Sequence, residues 1–273
     1  MMTLTDKEFQ TLVSFIHTKY GINLEKKRIL IEGRLSNMLQ ERGFSAFSDY
    51  MEVVFKDKTG AEVTTLLNKL TTNHTFFLRE IEHFDFMTEQ VLPLFEANLK
   101  TKDIRIWSAG CSSGQEPYTM AMAINEYFGG RKQGWDTTIL ATDISMNALE
   151  KAKAATYAQE DLKDVPEPWR KKYFIDNKNG TFTVCDSIRK EVVFRTLNLM
   201  EPFKFGKPFD LIFCRNVMIY FDAPTKDTLI NKFYDVTAPG GFLFIGHSEV
   251  INREAARYTY IRPAIYQKRG PNK

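Results

Sequence analysis

From Ile104 onward the chain alternates short apolar runs with longer stretches of helical spacing. Ile104–Trp107, Thr137–Ala141, Glu191–Leu197, Phe209–Cys214 and Phe242–Ile245 have the length of buried strands, and Tyr118–Phe128, Met146–Thr156 and Pro224–Val236 carry helix-like patterning between them. Strands that alternate with helices imply a mostly parallel sheet covered on both faces. The first hundred residues read differently. Thr5 and Glu8 form a capping box, Phe9, Leu12, Val13 and Ile16 repeat at helical spacing, and Gly21 ends that run. A second apolar set, Ile29, Leu30, Leu35, Met38 and Leu39, stops at Gly43, and two shorter helical segments follow before a helix that contains Pro93. These patterns predict an α/β chain, with helices over about the first hundred residues and a mostly parallel sheet after Lys102. Asn179-Gly180, flanked by Tyr173-Phe174-Ile175 and Phe182–Val184, predicts a small antiparallel β-insertion at about 169–191.

The first strand runs into "SAGCSSGQEPY", which admits two chemistries. Gly110 to Gly114 satisfies G-x-S-x-G, so Ser112 could be a nucleophile, and the order Ser112…Asp222…His247 matches that of a hydrolase triad. A nucleophile elbow, however, normally lies deep in a sheet that already has several strands, and here the preceding strand is the first. First position is where cofactor-binding sheets place a glycine loop. The loop lacks G-x-G-x-x-G spacing and puts Glu116 at the start of its helix, where a carboxylate repels a pyrophosphate and attracts a cation. S-adenosylmethionine is such a ligand, with a sulfonium, an α-ammonium group and no phosphate. Asp143 ends the next strand, well placed to accept hydrogen bonds from two ribose hydroxyls.

The remaining composition narrows the classes. Thirty-seven basic and 34 acidic residues leave a net charge of +3, too even for a nucleic-acid footprint. Cys111, Cys185 and Cys214 have no C-x-x-C spacing, and His17, His74, His83 and His247 have no ligand spacing, so no metal site is expected. No signal pattern or membrane-length apolar run is seen, which predicts a cytoplasmic protein without membrane insertion.

Taken together, "LTTNHTFFLRE", "WSAGCSSGQEPYTMAMAI", "ATDIS", "FDLIFCRNVMIYFD" and "APGGFLFIGHSE" resemble the CheR-type chemotaxis receptor methyltransferases, in matching order over nearly the whole chain. The resemblance implies a helical N-terminal domain over 1–70 joined to a Rossmann-like catalytic domain over 71–273, and transfer of a methyl group from S-adenosylmethionine to glutamate side chains on the cytoplasmic helices of chemoreceptors, leaving S-adenosylhomocysteine. It implies that Asn73, Thr75 and Arg79 contact the cofactor, that Gly110 and Glu116 hold its methionine part, and that Asp143 takes the ribose. Asn198 and Leu199 would frame the adenine, and Arg215 and Asn216 would line the pocket beside the methyl group. Tyr220 would reach the substrate carboxylate, with Arg79 and Tyr220 acting as positioners; four residues apart, Asn216 and Tyr220 would share one helical face. A glutamate with a pKa of about 4.3 is already ionised at neutral pH, so no general base is needed. In "NLEKKRILIEGRLSNMLQERGF" the basic face has Lys27, Arg28 and Arg34, but Asn37 and Gln40 stand where further cations would be expected. The compact "DNKNGT" turn of the insertion predicts an enzyme that needs no C-terminal receptor tether peptide.

Overall fold

The computed structural model of the chain describes residues 2–71, 74–252 and 256–270. Helix α1 spans Asp6–Tyr20, with Thr5 and Glu8 closing the expected capping box and Gly21 ending the helix in the left-handed region at φ 71°. α2 (Arg28–Glu41) buries Ile31, Leu35, Met38 and Leu39. Ile29, counted with that apolar set, is instead 82% exposed. It sits two residues before Ile31, about 200° round the helix, and so faces the other way. α3 (Phe47–Lys56) and α4 (Ala61–Leu70) complete the helical unit. Its core is continuous with the sheet: Leu12, Leu35 and Leu66 belong to the same apolar cluster as Trp107, Leu229 and Phe233.

Next come α5 (Glu82–Phe86), a π-helical turn over Met87–Val91, and α6 (Leu92–Asn98), which begins with Pro93 in its first turn. The helix runs on from the π-helical turn, where Leu92 N–H donates back to Met87 O, and this wider turn accommodates a following residue that has no N–H to donate.

The main sheet holds β1 (Ile106–Ala109), β2 (Ile139–Asp143), β6 (Val192–Thr196), β7 (Phe209–Cys214) and β8 (Thr237–Ile245), with β9 (Thr259–Arg262) and β10 (Ile265–Gln267). Their order is β6-β2-β1-β7-β8-β10-β9. The first five are parallel, and β10 inserts antiparallel between β8 and β9. β1 is therefore first in the chain but interior in space. The chain winds outward from it on one side to β2 and β6, then returns to place β7 on the other. α7 (Gln115–Phe128), α8 (Met146–Ala154) and α11 (Ala223–Val236) are the crossovers, each close to its expected span.

The insertion is a second sheet in which β5 (Thr181–Val184) lies between β3 (Thr156–Ala158) and β4 (Phe174–Asp176). Gly180 turns the expected hairpin at φ 80°. β3 comes from outside the 169–191 segment. Sequence spacing extended α8 to Thr156, whereas Ala155 leaves the helix in the left-handed region at φ 52°. α9 (Glu167–Tyr173) and α10 (Asp186–Arg189) flank this sheet.

Candidate active site

The C-terminal ends of β1, β2, β6 and β7 open into one cleft that encloses about 1050 Å³, part of it open solvent. This is the switch point where strands on either side of β1 diverge, the usual ligand crevice of such sheets. After β1 the backbone turns through Gly110 (φ 86°), Ser112 (φ 48°) and Gly114 (φ 95°). A Cβ at Gly110 would stand 2.4 Å from the Val217 side chain, so only glycine lets the two loops meet. The Gly110 and Cys111 N–H groups donate to Thr142 O at 2.7 and 2.9 Å, fixing the loop to the end of β2.

Asp143 holds two loops together. Its Oδ2 accepts from Ser112 N at 2.8 Å and its Oδ1 from Ser145 N at 2.8 Å. Burial pushes its carboxyl pKa up, against the pull of those N–H groups. Glu116, in the first turn of α7, accepts from Ser108 Oγ at 2.7 Å and from Arg215 Nη1 at 3.1 Å. It too is raised by burial, with Arg215 opposing.

Arg215 is the electrostatic centre, its side chain only 2% exposed. It ion-pairs with Glu80 at 3.0 Å and with Glu116, lies over the rings of Phe84 and Phe213, and donates to the carbonyl of Arg79. Burial pushes Glu80 upward, but Arg215 and the donors around it, Asn216 Nδ2 and His247 N, hold it below the usual carboxylate range. The Arg79 side chain donates to His74 O at 2.8 Å. Leu78 (φ 60°) and Glu80 (φ 54°), on either side of it, are non-glycine residues in the left-handed region. Paired strain of that kind persists where surrounding contacts over-determine the backbone, and it clusters at functional sites.

Thr75, Arg79, Gly110, Glu116, Asp143, Asn198, Leu199, Arg215, Asn216 and Tyr220 all line this cleft. Asn73 lies outside the described residues. The helical argument for Asn216 and Tyr220 needs correction. Asn216 has φ 59°, and only Met218–Tyr220 form a short 3-10 turn, so the two share the cleft through a folded loop and not a helix face. Asn198 spends its side chain on Lys19 O (2.8 Å) and Met200 N (3.0 Å), which leaves it shaping the wall.

The site also includes residues to which the sequence reading gave no role. Glu80 stands beside Arg79 in the quoted "FFLRE", but its partner Arg215 is 135 positions away. Tyr20, Ile22, Leu67 and Thr71 of the helical unit form part of the wall. Glu80, His83 and His247 bring ligand atoms within 4.8 Å of one another, a grouping invisible in their spacing. Glu80 in that group is already engaged by Arg215, Asn216 and the His247 N–H.

The hydrolase alternative does not assemble. Ser112 Oγ is buried with no hydrogen-bond partner among the described residues. Asp222 pairs with His17 at 2.7 Å, and His247 lies against His83 with ring centroids 4.7 Å apart.

A helical N-terminal unit joined to a doubly wound sheet, with carboxylates and a glycine loop at the switch point, defines an S-adenosylmethionine-dependent methyltransferase architecture. Two family models match: "CheR methyltransferase, all-alpha domain" over residues 7–71 and "CheR methyltransferase, SAM binding domain" over residues 73–266. The chain belongs to the CheR methyltransferase family. It is 43% identical to a chemotaxis protein methyltransferase of Borreliella burgdorferi over 98% of this chain and 96% of that one. To the Escherichia coli chemotaxis protein methyltransferase it is 33% identical, over 97% and 92% of the respective chains. The N-methyltransferase NodS of Bradyrhizobium japonicum, solved with S-adenosyl-L-homocysteine, is a distant likeness (TM-score 0.34, 16% identity, 61% of this chain and 60% of that one). S-adenosylmethionine is the cofactor, and the residues present fit it: an orphaned buried hydroxyl at Ser112, a glycine that admits close approach at Gly110, and carboxylates suited to cationic and hydroxyl groups.

Proposed function

We propose that this chain methylates glutamate side chains on the cytoplasmic helices of chemoreceptors, in the cytoplasm. The observation that carries this reading is the composition of the cleft lining. Arg79 and Tyr220 line it together with Asn216, and no described histidine, cysteine or serine there is paired as a nucleophile or base. Such a set suits an acceptor that arrives already ionised and needs orientation only. S-adenosylmethionine, when bound, supplies an electrophilic methyl on a sulfonium. Asp143, Asn198 and Leu199 hold the nucleoside side of the cleft; Gly110 and Glu116 hold the amino-acid side. Thr75 and Arg215 contribute to the same wall. Arg79 steers the incoming carboxylate by charge, and the Tyr220 hydroxyl donates to it and sets its approach. Water expelled as cofactor and acceptor fill the cleft would otherwise solvate the charged partners better than the less polar transition state. The compact turn at Asn179-Gly180 supports action without a receptor tether.

The test is transfer of labelled methyl groups to receptor-containing membranes. The reading expects label that is released as methanol by mild alkali, the behaviour of a carboxyl ester. Alkali-stable label would overturn glutamate as the acceptor. Tyr220→Phe should keep its affinity for S-adenosylhomocysteine while turnover falls at least tenfold, about 1.4 kcal/mol of transition-state stabilisation. Full turnover in that variant would remove Tyr220 from the reaction.

A further inference from the structure

Glu249 lies in the loop after β8 and is 5% exposed. No ion pair reaches it among the described residues. Its carboxylate instead gathers backbone N–H groups. Oε2 accepts from Gly246 at 2.6 Å and Asn216 at 3.0 Å, and Oε1 accepts from Met218 at 2.6 Å. Burial raises its pKa, and these N–H groups oppose the rise. Asn216 and Met218 belong to the loop after β7, and the Ile219 N–H of the same loop also faces the carboxylate, which thus staples that loop to the neighbouring strand end.

The staple acts where the backbone most needs it. Asn216 is held at φ 59°, in the left-handed region that glycine and, less readily, asparagine adopt. Gly246 packs so closely that a Cβ there would stand 2.8 Å from Asn216 N and 2.4 Å from its Nδ2. Converging N–H groups create a small positive field that an anion satisfies. A carboxylate can accept at both oxygens, whereas a glutamine amide presents one acceptor and one NH₂ group, which would meet an N–H head on.

We propose that Glu249 is a positioning residue for methyl transfer. It does not line the cleft, but it fixes the Asn216–Met218 backbone, and with it the positions from which Arg215, Asn216 and Tyr220 address the cleft. The inference rests on methyl transfer occurring in this cleft.

The experiment compares wild type, Glu249→Gln and Glu249→Ala for kcat, receptor KM, affinity for S-adenosylhomocysteine and thermal midpoint. Glu249→Gln should lose at least tenfold in kcat, with a smaller change in cofactor affinity and in receptor KM. Formate added to Glu249→Ala should restore part of kcat, because a small anion can refill the nest, whereas formamide should not. Wild-type kcat in folded Glu249→Gln, or equal rescue by formamide, would overturn the proposal. Should both variants fail to fold, hydrogen exchange in the wild type decides: the Asn216, Met218 and Gly246 amides should exchange slowly, and rapid exchange would refute the staple. A wild type that transfers no methyl to receptors would count against the proposed function, whereas a variant equal to an active wild type would count against the role of Glu249 alone.

Discussion

At Asp143 one buried carboxylate accepts N–H groups from both the glycine loop and the turn that starts α8. Each oxygen keeps a further lone pair for the cleft, which suits a diol better than a single donor. Charge-assisted hydrogen bonds contribute about 1.5–3 kcal/mol each, so losing the acceptor for two hydroxyls should weaken cofactor binding at least tenfold. Asp143→Ala is therefore expected to bind S-adenosylhomocysteine at least tenfold more weakly in calorimetry. Unchanged affinity in the folded variant would leave Asp143 with the loop-holding role alone. Asp143 and Glu116 were legible in the sequence because their position, at a strand end and in a helix first turn, carries chemical meaning by itself. Glu80 and Glu249 were not. Their meaning comes from partners 135 and about 30 positions away, and spacing along the chain does not encode that encounter.

Among the elements, the join between α1 and the loop after β7 does more than cover the sheet. Ile22 bridges to Phe221, Asn23 N donates to Tyr220 O at 2.8 Å, and Asn198 Nδ2 donates to Lys19 O. His17 meets Asp222, the N-cap of α11. The end of α1 thus holds both Tyr220 and the loop after β6. Gly21 makes this approach possible: at φ 71°, an added Cβ would stand 2.6 Å from Met200 Sδ and 2.9 Å from Thr225 Cγ2. Gly21→Ala should destabilise the fold by about 1–3 kcal/mol, a combination of left-handed strain and overpacking. It should also reduce turnover by more than the folded fraction explains. Denaturant unfolding and kcat at saturating cofactor test both parts, and a variant with wild-type stability would show that Met200 and Thr225 move aside at no cost. The sequence identified Gly21 as the helix stop, correctly, from local chemistry. Its contact with Met200 lay beyond that reach, as did β3, whose three residues are too short to carry a period.

For the molecule as a whole, the alternation of strands and helices after Ile104 was enough to establish the layered α/β class, because parallel strands admit few ways to close. The way the helical unit shares one core with the sheet was not legible, since both sides of that junction read as ordinary core. In the second apolar cluster, around Phe213 and Phe244, His83 shows what burying a polar ring costs. It is 1% exposed, packed edge-on against Phe213, Phe244 and His247, and neither ring nitrogen has a hydrogen-bond partner among the described residues. Burial, then the Arg215 guanidinium beside it, pushes its pKa down to about 3, with Glu80 opposing. The unfolded chain takes up this proton near pH 6.5, while the folded chain resists until about pH 3. Between those values the unfolded state binds more protons, so stability is full above about pH 6.5 and declines as the pH falls, by at most about 1.4 kcal/mol per pH unit. Glu80 adds acid lability only below the ordinary carboxylate range, because its own pKa is depressed. Between about pH 5 and 6.5 the carboxyls raised by burial, Asp143, Glu116 and Glu249, act with the opposite sign, so the His83 contribution is read as the difference between wild type and a variant that lacks it. Across that interval the unfolding free energy of the wild type should fall by about 1.6 kcal/mol more than that of His83→Phe, whose ring suits the same aromatic contacts. Equal slopes in the two proteins would show that the folded state accommodates a protonated His83, with Glu80 as its counter-ion.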